Sequence, residues 1–299
     1  MKHVATIEQL LESGAHFGHL TRRWNPKMEQ FIFNERNGIH ILDLRKTQIL
    51  LDIARNVALK TAMQGKTVLF VGTKKQMHDT LKAAAAECGQ NFVIERWLGG
   101  MLTNFATIRK SIKRLNDIDK MEVDGTYEKI TKKERLLLGR ERDRLRKIFG
   151  GIEDMTRLPG ALFIVDIKKE HIAVKEAKIL GIPTIALVDT NCDPEDVDFP
   201  IPANDDSVKT VELISKIMGD AIKEGNAVAK VKQAEMKSES ERMAKEGETH
   251  REGDEAKIQR KMRERKSKAP KKDAPSIEDK PAEAPAVEEK PAEAKPEEK

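Results

Sequence analysis

The chain has 299 residues and a mass of 33.7 kDa; 38% are hydrophobic, 35% charged and 4% aromatic, and the only cysteines are Cys88 and Cys192. A globular domain usually carries about 45–50% apolar and about 25% charged residues, so a charged segment outside any packed core is expected. No run approaches the ~18 apolar residues of a membrane span, MKHVATIEQLLESG has no apolar leader, and two cysteines build neither a disulfide framework nor a four-cysteine zinc site. A reducing cytoplasm is the expected compartment.

In chain order, Thr6–Ser13 reads as a short helix. Ala15–Met28 (AHFGHLTRRWNPKM) is aromatic, basic and turn-rich, with a breaker at Asn25-Pro26. Phe31-Ile32-Phe33 and Ile39–Leu44 flank Asn34–Gly38 and predict an irregular hairpin turning at Asn37-Gly38. Lys46–Gln64 places Ile49, Leu50, Ile53, Val57 and Leu59 at helical spacing. Lys66–Val71 is a buried strand closed by Gly72, Lys75–Cys88 an alanine-rich helix stopped by Gly89, and Phe92–Ile94 a short strand. Ala161–Ile167 and Thr184–Asp189 are continuous apolar strands, joined by a helix over His171–Leu180 that ends at Gly181. Phe199–Pro202 is a last strand and Asp206–Lys223 an amphipathic helix. Uninterrupted apolar strands alternating with helices mean a parallel sheet covered on both faces.

Two segments depart from that rhythm. Phe105, Ile108, Ile112, Leu115 and Ile118 step along one helix; Leu137, Leu138, Leu145, Ile148 and Phe149 step along a second, with Asp124-Gly125 near the turn. Asn104–Gly150 carries 14 basic and 8 acidic residues, a net +6, while the whole chain is only +5. Beyond Asn226 there is no aromatic residue, and the charged, Ala-, Pro- and Glu-rich composition buries too little apolar surface to offset chain entropy. The expected fold is therefore α/β: a doubly wound (Rossmann/flavodoxin-like) parallel sheet formed by residues 1–103 and 151–225, an antiparallel coiled-coil hairpin inserted at 104–150, and a largely disordered tail at 226–299.

Doubly wound sheets often bind nucleotides, yet Val71-Gly72-Thr73-Lys74-Lys75 matches neither GxGxxG nor GxxxxGK[ST]. Its amides could hold an anion, but a plain tight turn is the simpler reading. No serine lies in a GxSxG elbow. His16 and His19 are spaced like a metal pair, and Asp189 and Asp205-Asp206 sit at strand ends that converge on one rim; helix capping and hydrogen bonding account for the same residues. Cations interleaved with tryptophan suit nucleic acid better. Arg22, Arg23, Lys27 and Arg96 lie in irregular segments beside Trp24 and Trp97, and Arg109, Lys110, Lys113 and Arg114 form a stripe on the first inserted helix. A solvated charged hairpin is the alternative there.

The segments HFGHLTRRWNPKMEQFIF, LFVGTKKQ, RWLGGMLTNFATIRKSIKRL, LPGALFIVDIKKEHIAVKEAKILGIPTIALVDTNCDP and DFPIPANDDS closely resemble the bacterial small-subunit ribosomal protein two family, in order and spacing. The resemblance covers about residues 5–225. It implies a non-catalytic protein with a protruding hairpin. The expected partners are small-subunit rRNA near the head–body junction, neighbouring small-subunit proteins and the large mRNA-binding ribosomal protein one, with no membrane and no small-molecule substrate. It also implies a structural zinc, or magnesium, at the rim, with His19, Asp189 and Asp205 or Asp206 as the candidate ligands. A nucleotide- or metal-dependent α/β enzyme is the competing function.

Overall fold

The computed structural model describes residues 3–125 and 130–267. Helix α1 (Ile7–Ser13) begins at Thr6, whose hydroxyl and the Gln9 side chain cap each other's backbone amides. Strand β1 (Phe17–Leu20) follows, then β2 (Ile32–Arg36) and β3 (Ile39–Leu42); together they form an antiparallel sheet in the order β1-β3-β2. The β2–β3 turn places Asn37 at φ 54° and Gly38 at φ 74°, the paired left-handed conformations of a tight hairpin turn. Strand β1 is an addition to the sequence reading. Its register with β3 is irregular between Phe17 and Leu20, which hides the period-two alternation that identifies a strand.

Helix α2 (Leu44–Met63) starts at the capping residue Asp43. The main sheet comprises β4 (Val68–Val71), β5 (Phe92–Val93), β6 (Ala161–Val165), β7 (Thr184–Val188) and β8 (Phe199–Pro202), all parallel, in the order β5-β4-β6-β7-β8. Strands β4, β6 and β7 are buried at every residue, as continuous apolar strings require. Helices α3 (His78–Glu87) and α6 (His171–Leu180) connect strands of this sheet. One apolar layer includes Leu51, Phe70, Leu81, Phe163, Ile185 and Ile214; the other includes Met28, Leu69, Trp97, Met101, Ile164 and Val188. Outer strand β8 carries Pro200 and Pro202, which suits an edge.

Helices α4 (Phe105–Val123) and α5 (Lys132–Phe149) pair through Arg114–Glu141, Arg142–Glu122 and Arg146–Asp119. The apolar seam is one-sided. Helix α4 buries Ile108, Ile112, Leu115 and Ile118, whereas α5 buries only Phe149, and its Leu137 is 54% exposed.

Helix α7 runs over Val208–Ser267. The reading of 226–299 as a largely disordered tail leaves a single helix possible over 227–246, and α7 continues through 226–267. A polar composition rules out a packed core but not a helix, and Ala, Glu and Lys are strong helix formers. Residues 268–299 of that tail lie outside the described residues. The chain divides into two compact units, Met1–Lys237 and Ser238–Lys299. Among the described residues, no helix is long and apolar enough to cross a membrane.

Candidate metal centre and basic surface

In the sheet order, the strands grow outward in opposite directions from β4 and β6. Ligands of doubly wound sheets sit beyond the strand carboxyl ends at such a switch point. Here those ends deliver Thr73-Lys74 after β4, Asp166 after β6, Asp189-Thr190 after β7 and Asp205-Asp206 after β8.

Lys74 occupies the centre. Its Nζ lies 2.8 Å from Asp205 Oδ1, 2.7 Å from Asp206 Oδ1 and 3.1 Å from Asp166 Oδ2. Burial works against the ammonium charge, but the Asp205, Asp206 and Asp166 carboxylates outweigh it and raise the Lys74 pKa. Asp189 and Asp205 are fully buried. Burial pushes Asp205 up to about 7, reinforced by the Asp189 and Asp166 charges and opposed by Lys74. Asp166 reaches the cluster from a left-handed backbone conformation, φ 68°, that few non-glycine residues adopt.

His19 comes to the rim from the small sheet. A Cβ at Gly18 would stand 2.5 Å from Thr190 Cγ2, so glycine is what lets β1 lie against Thr190. His19 N then donates to Thr190 Oγ1 at 2.8 Å, and Asn25 N to Thr190 O at 2.8 Å. His19 Nδ1 faces Asp189 Oδ2 at 3.0 Å, and Nε2 faces Asp206 Oδ2 at 3.5 Å. The Asp189 carboxylate against the ring raises the His19 pKa, burial opposes it, and Asp205 and Asp206 add to the rise. Thr190 N and Oγ1 hold the other oxygen of Asp189. Asp205 Oδ2 is buried with no hydrogen-bond partner, and Asp189 Oδ2 has only its ion-pair approach to His19.

The sequence-predicted ligands His19, Asp189, Asp205 and Asp206 thus meet. Donor atoms of His19, Asp205 and Asp206 lie within 4.8 Å of one another, as do those of Asp166, Cys192 and Asp205. His16 joins neither group; its ring lies against Phe17, with centroids 4.0 Å apart. The turn after β4 has no amide to offer a phosphate at Thr73, because Thr73 N and Oγ1 both donate to Glu170 Oε1. The rim beyond it presents four aspartates to an incoming anion. Both features oppose a nucleotide site.

The predicted RNA-facing cations fall into two groups. Arg22, Arg23, Arg96, Lys110 and Lys113 are exposed and make no ion pair among the described residues. Lys27 bridges Asp193 and Glu195, Arg109 donates to Met155 O at 2.9 Å, and Arg114 pairs with Glu141 at 3.2 Å. The second group already has partners within the chain.

Sequence reasoning missed Lys74, Asp166, Glu170, Cys192 and Glu176. Asp166 had a signal, since it follows a buried strand directly, whereas Lys74 sits in a glycine turn that suggests an anion site instead. Glu176 had none, being a polar residue in the middle of a helix. Its carboxylate accepts from Trp97 Nε1, Gly100 N, Leu102 N, Thr103 N and Thr103 Oγ1 at 2.8–3.1 Å, and so fixes the RWLGGMLTN loop that leads into α4. Burial would raise its pKa, but these donors lower it.

Comparison with known proteins matches residues 10–225 to the family model for ribosomal protein S2. The small ribosomal subunit protein uS2 of Chlorobium phaeovibrioides is 59% identical over 222 residues, covering 74% of this chain and 86% of the relative. The uS2 protein of Chloroherpeton thalassium is 59% identical over 224 residues (75% and 90%), and that of Salinibacter ruber 52% over 235 residues (79% and 73%). The match spans the main sheet, the rim and the paired helices, and on it the chain belongs to the ribosomal protein S2 family.

Proposed function

We propose that the chain is a structural constituent of the small ribosomal subunit, placed in the cytoplasm as part of the ribosome. It binds rRNA through exposed cations and helps dock the large mRNA-binding ribosomal protein one among neighbouring small-subunit proteins. The family is structural, and the chain is not an enzyme. The family match over residues 10–225 carries this reading. Arg22, Arg23, Arg96, Lys110 and Lys113 support it further, since a cation without an internal partner is free to neutralise a phosphate. In this reading residues 104–150 act as an inserted coiled-coil arm whose basic faces meet rRNA. Sedimentation of a lysate containing the tagged full chain tests the proposal. Co-migration with small subunits is expected; a chain confined to the soluble fraction contradicts it.

The rim suits a structural zinc ion. The supporting observation is that Asp205, whose Oδ2 is buried and unpartnered, brings a carboxylate oxygen within 4.8 Å of a His19 ring nitrogen. His19, Asp205 and Asp206 would be the ligands, and Asp189 would orient the ring from its other nitrogen, as carboxylates behind metal-bound histidines do. One imidazole with carboxylates favours zinc, and the oxygen-rich set also admits magnesium. Such an ion would supply positive charge to buried carboxylates and tie β1 to the main sheet. Metal analysis of the purified chain against His19→Ala checks this: loss of bound metal is expected, and equal content contradicts it.

A further inference from the structure

We infer, resting on the RNA-binding reading above, that Glu176 is a positioning residue for that function: its carboxylate pins the start of α4 to helix α6 and so sets where Arg96, Lys110 and Lys113 are offered to rRNA phosphates.

The contacts run from the sheet to the arm without a gap. Helix α6 packs Ala173, Val174 and Ala177 into the same apolar layer as Trp97, Met101, Leu102 and Ile108. Glu176, on that helix, is buried, and its two oxygens divide the incoming loop between them. Oε1 accepts from Trp97 Nε1 at 3.1 Å and Gly100 N at 2.8 Å; Oε2 accepts from Leu102 N at 2.9 Å, Thr103 N at 3.0 Å and Thr103 Oγ1 at 3.1 Å. The loop passes directly into the first turn of α4, where Asn104 N donates to Gly100 O at 2.9 Å and Asn104 O accepts from Thr107 N and Ile108 N. Asn104 supplies no side-chain cap of its own, so a carboxylate from another helix anchors the positive end of α4. Where α5 returns, Phe92 N and Asn91 Nδ2 donate to Gly151 O at 3.0 and 3.3 Å, which ties that end to β5.

Three of the five cations without an ion pair lie on the held segment: Arg96 immediately before Trp97, and Lys110 and Lys113 on α4. Ile108 and Ile112 also pack into the apolar layer. Apolar packing is non-directional, whereas five hydrogen bonds to one carboxylate fix a direction. An arm already aimed meets its phosphates without further ordering; an arm free to swing must be ordered on binding, which weakens affinity. The number of phosphates neutralised in the complex is the same in both cases. Positioning therefore changes affinity and leaves the salt slope alone, while removing cations changes both.

Glu176→Gln in the full-length chain tests this. The side chain keeps its size, and whichever way the amide is turned its NH2 faces at least two donors. Binding of small-subunit rRNA is titrated against salt. Spin labels on Lys120→Cys in α4 and Lys60→Cys in α2 report the distance from arm to sheet domain, and Lys60→Cys with Lys209→Cys in α7 gives a distance within that domain; all three lysines are exposed, and Cys88 and Cys192 are buried. Glu176→Gln is expected to bind about three- to tenfold more weakly at every salt concentration with the wild-type slope, and to broaden the arm distance alone. Leu51→Ala opens a cavity in the opposite apolar layer and, while folded, should keep wild-type affinity and both distances. Should Glu176→Gln not fold, Trp97→Phe/Thr103→Val, which keeps the carboxylate and three of its donors, is read in the same way. Wild-type affinity, an unchanged arm distance, or equal changes in Leu51→Ala overturn the inference when the variant with Arg22, Arg23, Arg96, Lys110 and Lys113 changed to Gln binds more weakly than wild type. If that five-cation variant binds like wild type, the RNA-binding reading itself has failed, and the inference falls with it.

Discussion

At the carboxyl rim, Asp166, Asp189, Asp205, Lys74 and His19 are largely drawn out of bulk water onto the ends of a rigid sheet, with Asp206 at the exposed edge; along α4 and α5, most charged side chains stand in solvent. The rim resolves its charges internally, each carboxylate finding an ammonium, an imidazole or a hydroxyl. The helix pair resolves only some, and Lys110 and Lys113 make no ion pair among the described residues. Breaking a buried pair leaves an uncompensated charge and costs several kcal/mol, whereas an exposed pair contributes about 0–1 kcal/mol. Charge in the first region therefore holds the fold together. In the second it is available to a partner.

The largest effect expected is at Glu176, which shares the rim's logic at a second buried position. Glu176→Ala strands five donors and should lower unfolding stability by about 4 kcal/mol in urea titration, each orphaned donor costing about 1–3 kcal/mol before relaxation. Since its pKa is lowered in the folded chain, the Glu176 contribution is full above the unfolded carboxylate value and fades as pH falls through the folded one. A change below 1 kcal/mol would remove Glu176 from the account.

Asp205 has the opposite sign. Its folded pKa is raised to about 7, so the native chain keeps a proton that the unfolded chain has released. In metal-free protein, the stability of wild type relative to Asp205→Asn should fall by up to about 1.4 kcal/mol per pH unit as pH rises from about 4 to 7. Thermal unfolding of both proteins across that range reads the difference; a pH-independent difference breaks the claim of a charge held against burial.

Smaller effects sharpen the boundary between the two kinds of charge. A stop after Gly225 removes the buried Ala229 and should cost about 1 kcal/mol, whereas a stop after Lys237 removes 238–299 and should cost less than about 0.5 kcal/mol. Calorimetry of the two truncations compares them, and equal losses would show that burial around Ala229 is irrelevant. Arg114→Gln breaks the half-exposed pair with Glu141 and should change stability by about 0.5 kcal/mol or less. A loss above 2 kcal/mol would place α4–α5 charge in the structural class.

The main sheet was legible because β4, β6 and β7 are buried on both faces and therefore read as unbroken apolar strings. Strand β1 was not, since its pairing is irregular and Gly18 is there for contact with Thr190 rather than for strand propensity. Asp189, Asp205 and Asp206 were legible as strand-end residues converging on one rim, whereas His19 was read only as one of a spaced pair with His16 and was singled out by the resemblance. Lys74 was hidden by its own position, because a lysine after a glycine turn suggests an anion site. Only the fold reveals that Asp166, Asp205 and Asp206 surround it and that Glu170 has taken the Thr73 amide. The inserted helices were read from a clear three-and-four spacing, yet that spacing overstated α5, where Leu137 faces solvent.

The contrast between the regions is tested most directly by one titration: binding of small-subunit rRNA against salt for the wild type and for the variant with Arg22, Arg23, Arg96, Lys110 and Lys113 all changed to Gln. The account predicts that the variant folds with an unchanged unfolding midpoint, binds more weakly at every salt concentration, and has a log–log salt slope shallower by roughly 3–5. Equal affinity and equal slope in the two proteins would contradict the claim that these unpaired cations are the chain's contact with RNA.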